Sequence, residues 1–235
     1  MTLVNWLRGS MIKDNLHTLR RDAQASILDV NDGITSAAGI TEGFVSAGAT
    51  TKTLLLAGTA IILAGGSAVA GARYTEVRTE WEVKHALLEE ERASIEADPA
   101  GELEELAGIY EAKGLNPQLA RQVAEALTER DPLAAHADAE LRLEKLGPTS
   151  GGLPAAVTAG LCYGVGAAVP LAPIVWLPLG DRLALTFAAI LIALGLTGWL
   201  AAWLTRLPVF RLVRRNVLLG GAIMSASILV GHALH

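Results

Sequence analysis

One cysteine, Cys162, is too few for an intrachain disulfide or a paired-cysteine metal site. Aromatics are nearly as scarce, at 5%, although 51% of the 235 residues are hydrophobic. The apolar content is therefore Ala, Leu, Val and Ile with 24 Gly, a mixture that lets helix backbones approach closely in lipid. A Gly-rich loop ending in Lys-Ser/Thr is missing, which argues against a nucleotide-driven pump. The sequence also has no His-Glu-x-x-His zinc motif and no Gly-x-Ser-x-Gly elbow, and it reads as a non-enzyme. Met1 to Asp22 lacks the apolar core and cleavage pattern of a secretory signal, so the first span is expected to persist as an anchor.

What the chain does have is a strong segregation of charge. Residues 75–150 hold eighteen of the 24 Asp and Glu against eight Lys and Arg, a local charge of −10 within a total of −5. The mean hydropathy of +0.40 is too high for a soluble domain of this size, so the acidic stretch reads as a polar module between membrane segments. Multivalent cations suit such a module, and nucleic acid does not.

Four segments follow. Residues 1–26 form an amphipathic arm, either a helix lying on the membrane surface or a solvated extension. Residues 27–74 hold the first two spans, the second rich in Gly and running into water without a stop. Residues 75–150 are the acidic module, where Asn116-Pro117 and Asp131-Pro132 are helix-start signals and Gly114 is a helix stop. Residues 151–235 hold three more spans, near 155–177, 182–204 and 217–234, the first of them kinked by Pro170 and Pro173. The expected fold is thus an all-α membrane protein with five transmembrane helices and a helical domain inserted between the second and third.

Basic residues set the expected orientation. Arg8, Lys13, Arg20, Arg21, Arg206, Arg211, Arg214 and Arg215 fall on one side of a five-span chain, against only Lys52 and Arg182 in the short loops of the other. The positive-inside rule then makes the amino terminus and acidic module cytoplasmic and places the carboxyl terminus opposite.

Two groups of residues are candidates for chemistry. Asp32 and Glu42 lie in the first span, where a carboxylate costs roughly 2.5–3.5 kcal/mol and needs a reason such as a cation path. Their plain alternative is an interfacial position. In the module, Glu102 and Glu105 share one helix face, and His136 and Glu140 share another. Converging on one ion, with Glu90 or Glu91 added, they would give oxygen ligands plus an imidazole, which suits iron(II) or manganese(II), with zinc(II) within reach. Solvated Glu-rich faces are the plain alternative here.

With these residues in view, the sequence resembles the vacuolar iron transporter family. Val30-Asn31-Asp32-Gly33-Ile34 is similar to the family's first-span motif. Gly101 to Leu115, Ala120 to Ala124, and Asp131 to His136 with Glu140-Leu141 are similar to its metal-binding domain, and Gly166 to Leu171 to its third span. The resemblance implies a homodimer in the bilayer that exchanges divalent metal for protons and exports it from the cytosol. It also implies Asp32 on the path and Glu91, Glu102, Glu105 and Glu140 as domain ligands, with His136 where some members carry Met. The second span departs from the family pattern. Ser67 to Tyr74 lacks the usual Met and Glu and places Arg73 where a carboxylate is expected, a loss Glu42 would offset. The alternative function is a membrane-anchored metal sensor or scaffold.

Overall fold

The computed structural model describes residues 3–140, 152–176 and 182–233, and all secondary structure among them is helical. In chain order the helices are α1 (Leu3–Ser46), α2 (Thr51–Ala97), α3 (Pro99–Ala112), α4 (Pro117–Arg130), α5 (Pro132–Ala139), α6 (Gly152–Ala168), α7 (Ala172–Trp176), α8 (Arg182–Thr205) and α9 (Val209–Ala233). A 3₁₀ turn, Val169–Leu171, joins α6 to α7, so the segment with Pro170 and Pro173 is broken as expected. Among the described residues, four apolar stretches are long enough to cross a membrane: the one in α2, 152–174, 184–205 and 209–233. The chain is a multi-pass membrane protein. The carboxylates of α1 keep it outside that set.

The chain divides into two compact units, residues 1–74 with 153–235, and residues 75–152. In the first, α1 packs against α8 and α9. Ile34, Ala38, Ile190, Leu194 and Met224 form one buried cluster, and Ala37, Tyr163 and Ala167 a second. Close packing depends on glycine at two places. A Cβ on Gly33 would overlap the Tyr163 carbonyl, and one on Gly166 would overlap the Val30 carbonyl. The Asn-Asp-Gly motif therefore has three separate tasks. Gly33 admits α6, Asp32 is exposed, and Asn31 Oδ1 accepts hydrogen bonds from Thr197 Oγ1 (3.0 Å) and Asn216 Nδ2 (3.4 Å).

The second unit is built from capped short helices. Asp98, Asn116 and Asp131 each accept a backbone N–H three residues on, at 2.9, 2.9 and 3.0 Å, and each precedes a proline at the first helical position. Each cap of this kind contributes about 1 kcal/mol. Gly114, at φ +101°, takes the left-handed position that ends α3. Leu106, Ala107, Ala124, Ala135 and Ala139 form the core that these helices enclose.

Several boundaries differ from the sequence-based expectation. No break separates the arm from the first span, since α1 is continuous from Leu3 to Ser46. α9 begins at Val209, not 217, because Arg211, Arg214 and Arg215 ride on its first turns and are not in a loop. The end of the expected acidic module, residues 141–150, lies outside the described residues.

Gly33→Ala is expected to destabilise the membrane unit by about 1–3 kcal/mol or to prevent folding, since the clash is with backbone. Gly108→Ala, where an added Cβ meets nothing within 4 Å, is expected to leave the melting temperature unchanged or raised. Thermal unfolding of both variants in detergent checks the contrast.

Candidate metal centre

In the second unit three helices bring four of the five sequence-predicted ligands to one point. Glu91 comes from the carboxyl-terminal part of α2, Glu102 from the first turn of α3, and His136 from α5, with Glu140 as the residue that caps α5. The caps do the positioning. Asp98 starts α3 so that Glu102 falls in its first turn, and Asp131 starts α5 so that His136 lies inward. His136 is 1% exposed and Glu91 8%.

One ligand atom from each of Glu91, Glu102 and His136 lies within 4.8 Å of the other two. From His136 Nδ1 it is 2.9 Å to Glu91 Oε1, 3.7 Å to Glu102 Oε2 and 3.7 Å to Glu140 Oε2. Two ligands each about 2.1 Å from one ion stand about 3.0–3.4 Å apart, so shifts of under about 1 Å close the set on a cation. Glu105 is exposed, but it is near enough to raise the Glu91 pKa.

Short as it is, the Glu91–His136 approach is not a hydrogen bond. Neither Glu91 Oε1 nor His136 Nδ1 has a partner in hydrogen-bonding geometry, and both atoms are buried. A buried carboxylate oxygen and a buried ring nitrogen that approach without bonding suit a shared cation. Burial pushes the Glu91 carboxyl above its ordinary value of 4.5. His136 opposes that rise, while Glu140, Glu102 and Glu105 add to it.

The membrane carboxylates are arranged differently. Asp32 is exposed on α1, whereas Glu42 is 0% exposed and neither of its oxygens has a hydrogen-bond partner. Ten residues of helix separate them, about 15 Å, so they do not meet within one chain. Asp29 reads as a bland interfacial residue in sequence, yet it is buried at 7% with Arg73 Nη2 3.5 Å from its Oδ1. That pair explains the arginine in α2, since the positive charge faces a carboxylate one turn before Asp32. The other soft donors stand apart. Met224 is part of the apolar core and Cys162 is half-buried on α6. A groove of about 470 Å³ between α1 and α9 offers only the Ser227 hydroxyl among apolar and glycine walls, and holds neither Asp32 nor Glu42.

The model of the VIT family matches residues 23–232. The chain belongs to the VIT family. Among VIT relatives, a vacuolar iron transporter of Acanthamoeba castellanii is 36% identical over 118 residues, half of this chain but only 42% of its own length. Vacuolar iron transporter 2 of Oryza sativa subsp. japonica is 31% identical over 71% of this chain and 68% of its own. Vacuolar iron transporter 1 of Tulipa gesneriana is 29% identical over 86% of this chain and 82% of its own. VIT relatives are thus named as transporters, not enzymes.

Manganese(II) or iron(II) is expected to raise the melting temperature of the full chain, and Glu91→Gln to abolish the increment. Binding at a hundred times Kd corresponds to about 2.7 kcal/mol. The pH dependence has a defined sign. With its folded pKa above 4.5, Glu91 lends the metal-free unit stability that is complete below 4.5 and lost as pH rises through the folded value. Metal affinity runs the other way and falls as acid protonates Glu91. Calorimetric titration at several pH values checks both.

Proposed function

We propose that this VIT member carries a divalent first-row metal, iron(II) or manganese(II), across a membrane in exchange for protons, and that the second unit captures the metal. The observation that supports capture most directly is the Glu91–Glu102–His136 convergence. In it Glu91 and His136 are buried, Glu102 is partly buried, and the closest pair forms no hydrogen bond. Two carboxylates and an imidazole, with Glu140 beside them, are borderline-hard donors that suit iron(II), manganese(II) and zinc(II) over calcium. The iron named in the relatives' titles makes iron(II) the first cargo to test.

In this reading α1 is the fifth span. Its carboxylates lower its hydropathy, but Asp29 has Arg73 for company, and Ile34, Ala37 and Ala38 are buried against neighbouring helices. The expected orientation puts the capture unit in the cytosol, so metal leaves the cytosol as protons enter. Asp32, exposed on the single chain, would face the metal path where two copies meet, and Glu42 would serve proton exchange further along the same helix. A homodimer gives the exposed carboxylate a shielded place it lacks in one chain.

Purified chain in proteoliposomes, with a metal-quenched dye trapped inside, tests transport. Wild-type chain is expected to pass iron(II) or manganese(II) faster when a pH gradient opposes the metal, and Asp32→Asn to lower the rate at least tenfold. Equal flux in Asp32→Asn would remove Asp32 from the path. Metal binding without flux in any orientation would favour the sensor or scaffold function.

A further inference from the structure

The seam between α1 and α8 can be followed turn by turn. Asn31 accepts a hydrogen bond from Thr197, and Ile34 and Ala38 share a buried cluster with Leu194 and Ile190. The residues advance along α1 as they retreat along α8, in matching steps of three and four, so the helices are antiparallel in fixed register. One further turn on each brings Glu42 opposite Thr186. These two are also the polar residues of the seam that are sealed and unpartnered. Glu42 is 0% exposed with both oxygens unpaired, and Thr186 is 1% exposed with its hydroxyl unpaired. From the third side, α9 contributes Met224, which is 0% exposed in the same cluster.

We propose that Glu42 and Thr186 form a proton-binding site within a single chain, separate from Asp32, in which the Glu42 carboxyl holds the proton and the Thr186 hydroxyl hydrogen-bonds to it. A sealed carboxylate with no bonding partner among the described residues carries an uncompensated cost of several kcal/mol, and taking a proton from water removes it. Divalent metal is a poor alternative, because one carboxylate, one hydroxyl and a thioether supply a single negative charge. No described charged side chain bonds Glu42, and Lys52, in the first turn of α2, lies ten residues further along the chain. Asp32 is ten residues away on α1, and Arg182, one turn before Thr186, is the charged residue of α8. On α9, Arg211, Arg214 and Arg215 sit toward the Asn31 end, and His232 bonds Ser46 one turn beyond Glu42. Residues 169–176 bring none. As the seat of the coupling proton the site rests on the proposed transport; as a protonated acid it does not.

The test uses the full chain in lipid nanodiscs and dicyclohexylcarbodiimide, an apolar reagent that modifies protonated carboxyls, with peptide mass mapping. Glu42 is expected to label at pH 7 and progressively less toward pH 9, with no protection by 100 mM sodium relative to choline. Removing the hydroxyl in Thr186→Val is expected to move the midpoint upward, because the ionised carboxylate loses a donor. Glu42→Gln, nearly isosteric, should lose that adduct and keep its melting temperature. No label between pH 6 and 9, protection by sodium, or a midpoint unmoved in Thr186→Val would each overturn the proposal. In proteoliposomes, metal-driven proton movement is expected to vanish in Glu42→Gln. A wild-type chain that moves no metal would sink the transport reading while leaving the labelling result to stand by itself.

Discussion

A carboxylate withdrawn from water must be neutralised by a proton, a basic side chain or a metal, because its solvation is worth more than packing can return. Among the described residues, carboxylates are buried in three places, each in a different setting. Asp29 has Arg73 at 3.5 Å. Glu91 has an imidazole nitrogen and two further carboxylates around a common point. Glu42 has no polar neighbour in bonding geometry among the described residues, a state that favours a proton. The fold around each is the scaffolding that makes the burial possible: glycine contacts at Gly33 and Gly166 in the membrane unit, and capped short helices in the other.

These solutions differ in how readily they can be reversed. An ion pair between two fixed helices is static and belongs to structure. A buried acid that exchanges its proton, and a ligand set that exchanges its metal, can both be reset by the composition of the water on either side of a membrane. Membership of the VIT family gives that chemistry a setting, since relatives across most of the chain carry the names of iron transporters.

Much of this was legible in the sequence where the signal is local. Asp98, Asn116 and Asp131 each precede a proline, and each starts a helix where that pairing predicts. Glu102, His136 and Glu140 could be nominated from three- and four-residue spacing, because helix faces follow from periodicity. What periodicity cannot reach is the partner on another helix. Spacing does not single out Glu91 from Glu89 and Glu90; the family resemblance nominates it, and the fold turns it inward to His136. Asp29 and Arg73 are 44 residues apart, and Thr186 is an unremarkable threonine in an apolar run until the α8 register sets it opposite Glu42. The arginines after Pro208 misled for a related reason, since charge suggests a loop but is equally at home on the first turns of a helix at a membrane surface.

The claim that most depends on the buried donor set is that His136 binds metal through its ring. Electron spin echo spectroscopy of the manganese(II)-loaded full chain measures this directly. Coupling to one directly bound imidazole nitrogen, absent in His136→Ala, is the predicted result. A manganese spectrum without nitrogen coupling, or one that His136→Ala leaves unchanged, would contradict it.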